Sequence, residues 1–469
     1  MSTSASLLSS LLSSGSSGID ISSILEAALG ASSPGIDVTS AVNSAVTAAE
    51  APEQGWETQE STLQSQVSAL NQIQTDVSNL DNDVQNLNSI IGPFSAMSVN
   101  SSDSNVVTAS AAYGSSQGNH VIVVNNLATT ASWTSAALSG STSVMPAGSF
   151  TITTGSGSAT ITTDGTETLS AVASEINSDK LGVTASVITD ATGSRLAIVA
   201  DSSGSASNFT VTPSTGSTYG FTQVTGNNAS ATVDGIEYQS ATNTLTGAIP
   251  GVTLNLQGAD PGVEVSLDVT ADTSQIVSAL QQFVTDYNTV VSDLNSQFTF
   301  NGTSEGVLAS DSTVRNLQND ILGALDYAYS PASGSTTVPN LTSLGISVDN
   351  DGKLSLDTSA LQSALANNFS DVQSFFQGSA LNGFANSLDQ QLTSFISPSD
   401  GAFTVDLQSM NSQITDLQTN ISNFQTNYIQ PLQTQLQSEY SQAEIALQEL
   451  PNEMKQIDAE LGENNSSSS

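Results

Sequence analysis

Cysteine is absent from this 469-residue sequence, histidine occurs once, and lysine and arginine together number 5. The first absence removes disulfides, thiolate metal sites and thiol nucleophiles together. A single imidazole leaves little for acid–base catalysis or for imidazole-held metals. Against 44 acidic residues the few cations leave a formal net charge of −39, so the chain has almost nothing with which to neutralise phosphates. Nucleic acid and anionic membrane surfaces are therefore poor partners. No run of about 18 apolar residues occurs, and no membrane insertion is expected. Charged residues make up only 10% of the chain, so its polarity rests on Ser, Thr, Asn and Gln. The length exceeds what one core ordinarily serves, which predicts roughly two to four domains.

The opening segment, residues 1–35, has no basic stretch followed by a sustained apolar one, and reads as a disordered Ser/Gly/Leu tail rather than a secretory signal. Within it Gly18-Ile19-Asp20-Ile21 recurs as Gly35-Ile36-Asp37-Val38, a repeated helix start with Asp or Ser as cap. Residues 36–91 are rich in Gln, Asn, Leu and Val. Leu63, Val67, Leu70, Ile73, Val77, Leu80, Val84, Leu87 and Ile91 follow in steps of three and four, which predicts a helix with one apolar seam ended by Gly92-Pro93.

From about residue 95 to 272 the texture turns to Thr, Val, Ser and Gly. Val121–Val124, Phe150–Ile152, Val183–Ile188, Leu196–Val199 and Val252–Leu256 read as strands, Asp164-Gly165 and Asp234-Gly235 as hairpin turns, and Leu169–Ile176 as one helix. Helical spacing returns near 273, with shorter helices near 311–328, 357–376 and 380–396 and a small hairpin over 346–356. Phe403, Leu407, Met410, Ile414, Leu417, Ile421, Phe424 and Tyr428 then alternate steps of four and three, and the pattern resumes after Pro431 from Leu436 to Leu461. Pro431 and Pro451 are placed to kink or break it. The simplest topology pairs the two ends as one stalk with the β block inserted as a head. Its e and g positions lack cations, so the seam and Gln/Asn/Ser contacts must hold it.

Three features imitate chemistry. Gly302-Thr303-Ser304-Glu305-Gly306 matches a nucleophile elbow, but a helix precedes it and its one available base, His120, is remote. Asp349-Asn350-Asp351-Gly352 begins like a calcium loop, yet the position requiring a bidentate Glu is Thr358, so a hairpin turn fits better. His120 opens a strand and reads as an edge residue. The carboxylates read as a solvated, repelling surface. No catalytic, metal or cofactor site emerges, and no enzyme is expected.

Several segments resemble the bacterial flagellar hook-associated protein 2 (filament cap) family. They are Gly35-Ile36-Asp37-Val38 through Ala48-Ala49-Glu50-Ala51-Pro52, then Val121 to Asn126 with Leu127-Ala128, and Thr168-Leu169 through Ile176-Asn177 to Gly182-Val183-Thr184-Ala185 and Gly193-Ser194-Arg195-Leu196. Thr232-Val233-Asp234-Gly235, Asn243-Thr244, Gly251-Val252-Thr253-Leu254, Leu344-Gly345-Ile346 and Asp351-Gly352-Lys353-Leu354 complete the series. Ala51 stands where the family often has a basic residue, and the terminal helices have almost no Lys or Arg. The resemblance implies an α+β multidomain fold, with terminal helices forming a coiled-coil or helical-bundle leg and β-rich head domains inserted between them.

The expected division is a tail over 1–35, leg helices over 36–91, and an inner head domain over 92–130 and 229–272. An outer inserted head domain would span 131–228, a helical bundle with a small hairpin 273–402, and a C-terminal coiled-coil leg 403–469. The resemblance further implies a homo-oligomeric ring, a pentamer, at the distal tip of the filament. Its other partners would be flagellin and the flagellar type III export apparatus with its chaperone. The interface would lie on the seams, at Leu63, Val67, Leu70, Val77, Leu407, Met410, Ile414, Leu417, Ile421 and Phe424. Another axial component (a hook–filament junction protein or a flagellin) and a surface adhesin are the alternatives, and adhesion is compatible with capping.

Overall fold

In the computed structural model, residues 37–300, 302, 305–331, 336–378 and 382–466 are described. The tail, the first Gly-Ile-Asp copy, and Thr303 and Ser304 of the elbow-like motif lie outside them. The chain divides into two units, one built from residues up to 78, 289–320 and 391 onward, the other from 79–288 and 321–390.

The helices in chain order are α1 (Val38–Ala49), α2 (Ala51–Asn88), α3 (Leu169–Ser178), α4 (Thr273–Phe298), α5 (Ser312–Ala324), α6 (Thr358–Gln377), α7 (Phe384–Ile396), α8 (Ala402–Phe424) and α9 (Gln430–Ser466). The leg helices expected over 36–91 are two, parted at Glu50, and the seam from Leu63 to Leu87 lies on the second. It ends at Asn88, and Ile91, expected on the seam, lies beyond it and is 73% exposed. Asp37 caps α1 by accepting Ser40 N–H at 3.1 Å and Ser40 Oγ–H at 2.7 Å, and these bonds hold its carboxyl below the usual carboxylate range. Pro431 does not break the C-terminal pattern. Residues Gln425–Ile429 form one wide π-helical turn closed by Gln430 N–H on Gln425 O, where the proline ring would otherwise meet the carbonyl four residues back.

The β-rich part of the second unit contains two cores. A five-stranded antiparallel sheet has the order β1 (Met97–Ser101), β15 (Val265–Ala271), β3 (Gly118–Asn126), β11 (Ala229–Val233), β12 (Ile236–Ser240). Together with the three-stranded sheet β13 (Thr244–Ile249), β14 (Val252–Leu256), β2 (Val107–Ala111), it encloses Val107, Ile122, Val124, Leu254, Leu267 and their neighbours. The second core, around Phe150, Ile152, Val172, Ile176, Leu196 and Ile198, is formed by two further sheets and α3. One is β10 (Thr222–Val224), β4 (Thr130–Thr134), β8 (Gly193–Ser203), β7 (Val183–Asp190). The other is β6 (Gly157–Thr163), β5 (Gly148–Thr154), β9 (Thr210–Pro213). Alternation along β11, β14 and β15 sends every second residue inward, as period two requires.

Asp234-Gly235 makes the tight turn between β11 and β12, pairing Val233 with Ile236 at φ +49° and +82°, the left-handed pair of a type I′ hairpin. Asp164-Gly165 does not turn a hairpin. It leads β6 into α3, whose first turn Thr168 caps through Ala171 N–H, so local turn chemistry here serves a helix start. The hairpin over 346–356 is present as β16 (Ile346–Val348) and β17 (Leu354–Leu356).

Three asparagines grip the backbone of another segment in the same way. Asn177 on α3 donates to Ala185 O at 2.9 Å and accepts Ala185 N–H at 2.7 Å. Asn243 does the same to Ala128 at 3.3 and 2.6 Å, and Asn288 on α4 to Leu354 at 2.8 and 2.7 Å. A carboxamide has both a donor and an acceptor, so one side chain satisfies a whole backbone residue as a neighbouring strand would. Leu127-Ala128 and Asn243-Thr244, far apart in sequence, are joined by one of these clamps.

The helical part of the same unit is packed by rings. Phe384, 1% exposed, stacks on Phe375 at 5.6 Å and meets Phe283, Phe376 and Tyr327 edge-on at 5.9–6.0 Å. Phe384→Ala should cost about 3–5 kcal/mol, read as a lowered helical melting transition in far-ultraviolet circular dichroism.

Candidate interface of the terminal helices

In the first unit, helices from the two ends of the chain pack on each other. Val42 and Val46 of α1 are buried with Ile429, and Val38, Ala49, Phe424, Leu436 and Tyr440 close around them. Trp56 meets Phe424 edge-on at 5.4 Å, and Phe424 stacks on Tyr428 at 5.1 Å. Two amide–carboxylate bonds take the place that ion pairs hold in most helical stalks. Gln425 Nε2 donates to Glu53 Oε2 at 2.5 Å and Gln418 Nε2 to Glu60 Oε1 at 2.8 Å. Glu53 is only 7% exposed, so Gln425 provides the donor its charge requires.

The expected interface residues divide by burial. Leu70 and Val77 are fully buried and Leu63 and Leu417 nearly so, each at 8%. These four are covered by the chain itself, and Leu70 and Val77 leave no surface for a partner. Val67, Leu407, Met410, Ile414, Ile421 and Phe424 are half-buried. Val405, Tyr428, Ile445 and Leu447 add exposed apolar surface along α8, the π-helical turn and α9. Ile445 and Val405 fall off the heptad positions, which is why spacing alone did not mark them. The more distal seam positions Leu450, Met454, Ile457 and Leu461 lie outside the described side chains.

The acidic residues are not all a solvated surface. Asp81 is 5% and Asp76 7% exposed. In the second unit Asp81 of α2 faces Asp389 of α7 across the Gln85 amide that donates to both, and Asp83 of α2 faces Asp286 of α4. In the first, Asp76 of α2 pairs likewise with Asp293 of α4. Burial pushes Asp81 up to about 7 and the facing Asp389 carboxylate adds to it. Burial, then the bond with Asp286, brings Asp83 to about 7, and burial with Asp76 brings Asp293 to about 6. Each aspartate of the last two pairs immediately precedes a buried seam residue (Val77, Val84, Tyr287, Leu294). That adjacency was visible in the sequence, but which helices face each other was not. His120 accepts or donates a 2.7 Å bond with Asp234, whose carboxyl the bond draws below the usual range, and so braces the β11–β12 turn. Among the described residues no cluster of three or more potential metal ligands occurs, and no helix is long and apolar enough to cross a membrane.

Helices from both ends joined by seams and amides, with β-rich domains inserted between them, define a helix-flanked α+β structural protein. Comparison with known proteins makes this specific. The profile of the flagellar hook-associated protein 2 N-terminus matches residues 34–131, that of its C-terminus residues 226–452, and a flagellin hook IN motif residues 149–202. The B-type flagellar hook-associated protein 2 of Pseudomonas aeruginosa is 27% identical over 71% of this chain and 75% of its own. That of Aeromonas caviae is 29% identical over 65% of this chain and 70% of its own. Among solved structures, the D1–D2–D3 domains of the flagellar cap protein of Escherichia coli superpose with a TM-score of 0.56 at 26% identity, covering 73% of this chain and 99% of that one. The chain belongs to the flagellar hook-associated protein 2 family.

Gln425→Leu removes the donor to a buried carboxylate and should destabilise the helical unit by about 1–3 kcal/mol, measured as a shift in the urea midpoint of the helical signal. Gln418→Leu, opposite Glu60, which is only half-buried, should shift it by less.

Proposed function

We propose that this protein caps the flagellar filament as a homo-oligomeric ring at its distal tip, where it promotes insertion and polymerisation of flagellin. The observation that carries this reading is the pairing of the chain's two ends into one helical unit around a β-rich insert, in a chain whose fold matches a flagellar cap protein over 73% of its length. The work is binding and shape, with no bond made or broken. A pentameric ring, passage through the flagellar type III export apparatus with its chaperone, and secretion to the tip all belong to this proposal. So does the domain division given by the sequence, with inner and outer head domains and a leg made of residues 36–91 and 403–469.

Within the leg, the half-buried row Val67, Leu407, Met410, Ile414, Ile421 and Phe424, extended by Tyr428 and Ile445, is the surface that meets the filament. Area of this kind exposed in a monomer is worth about 25 cal/mol per Å² once a partner covers it.

Deleting the gene should leave hooks without filaments, with flagellin monomer in the medium, seen by electron microscopy and immunoblot. Antibody labelling should find the wild-type protein at filament tips. Labelling confined to the hook–filament junction would identify a junction protein instead, and normal filaments in the deletion strain would overturn capping. A chain truncated after Asn427 should keep its β-rich domains folded yet fail to restore filaments.

A further inference from the structure

Among the described residues no ion pair reaches the three aspartate pairs. On α2, Gln72 Nε2 donates to Asp76 at 2.9 Å, while Gln85 Nε2 donates to Asp81 at 2.8 Å and to Asp389 of α7 at 3.0 Å. On α4, Gln282 Nε2 donates to Asp286 at 3.0 Å. Among the described residues the charged groups that act on Asp81, Asp83 and Asp293 are their facing aspartates, Asp389, Asp286 and Asp76. The ion pairs among the described residues, His120 with Asp234 and Arg195 with Asp190, belong to the β-rich part. Arg315 of α5 is committed to Ala309 O at 2.7 Å and to the Phe298 ring at 5.2 Å. The neutral amides supply hydrogen bonds but no charge.

A second observation points to what the pairs bind. Oδ1 of Asp81, on a residue 95% withdrawn from solvent, has no donor, nor has Oδ2 of Asp83. Two facing carboxylates cannot hydrogen-bond each other, whereas a carboxylic acid facing a carboxylate can, through one shared proton. Asp76 and Asp83 are seven residues apart on α2, as are Asp286 and Asp293 on α4, so the arrangement repeats with the heptad rather than by accident of one contact.

We propose that the three pairs are proton-binding sites that tighten the helical segments as the surroundings become acidic and loosen them as the proton is lost. The sign follows from linkage. Carboxyls raised to about 6–7 in the folded chain and near 4 when unfolded bind protons preferentially in the folded state. The stabilisation is therefore complete below about pH 4 and is lost as pH rises through about 6–7. Ordinary exposed carboxylates are already ionised in the upper part of that window, so the general repulsion of a chain at −39 changes little there. High salt screens the general repulsion and leaves the buried pairs.

The test is the urea midpoint of the helical circular-dichroism signal of the full chain at about pH 5.5 and about pH 7.5 in high salt. The unfolding constant should rise by about tenfold or more between them. The triple variant Asp81→Asn, Asp83→Asn, Asp293→Asn, in which each amide stands in for the protonated acid, should lose most of that rise. His120→Gln, removing the chain's one imidazole, should keep it. Proton uptake measured on the wild-type chain gives an independent reading, with the native protein holding about two to three more protons than the urea-unfolded one near pH 6. A midpoint that is flat or falls on acidification, a triple variant that keeps the slope, or equal proton binding in the two states would each overturn the proposal.

Discussion

The shortage of cations shapes this molecule more than any single contact. Five Lys and Arg cannot balance 44 acids, and a buried carboxylate without a partner costs several kcal/mol. Where the helices must pass an acid through an interface, the chain uses one of two neutral solutions. Either a glutamine amide donates to the carboxylate, as Gln425 does to Glu53 and Gln418 to Glu60, or two acids meet where one shared proton, as proposed above for Asp81 and Asp389, would neutralise them. A neutral amide bonded to a charged group is worth less than a desolvated Arg fork but has no charge of its own to desolvate. The helices are therefore joined by contacts that salt weakens little.

The β-rich part meets the same constraint by different means. Its strands satisfy one another, and carboxamides join several of its segments beside the His120–Asp234 pair. Asn177 and Asn243 each bind both backbone groups of one residue on another segment, as Asn288 does in the helical part. An aspartate at any of these places could accept the N–H but would set its other oxygen against a carbonyl.

Periodicity made the α+β architecture legible. The alternating steps from Phe403 to Tyr428 became α8 and its π-helical turn, and the Asp234-Gly235 pair became a type I′ hairpin. The failures were local signals with two solutions. Asp164-Gly165 suits a hairpin and a helix entry equally, and the nearby Thr168 cap decided for the helix. Ile91 fits the seam by spacing, but the helix stops at Asn88 and leaves it in solvent. Proline at 431 is normally a breaker, and one extra residue in the preceding turn absorbed it. For the candidate interface, spacing located the seam without its burial. Leu70 and Leu407 are equivalent in pattern, yet one is sealed inside the unit and the other half open. The acid pairs were hidden for a related reason, since composition counts charges and only tertiary register shows which of them meet.

A seam that is half open in its C-terminal helix is a poor basis for a stable monomeric stalk and a good one for reversible contact. The residues sealed inside, Leu70, Ile73, Val77 and Leu80, hold α2 in place. The row from Leu407 to Phe424 and on to Ile445 keeps apolar surface without the charges that would fix one partner and one register. Apolar contact is non-directional, whereas an ion pair specifies which residue must face which. A surface poor in cations and rich in Leu, Ile, Gln and Ser can therefore release one position and take up the next at little cost in specific bonds. That property is what a cap needs if it is to stay attached while the filament beneath it grows.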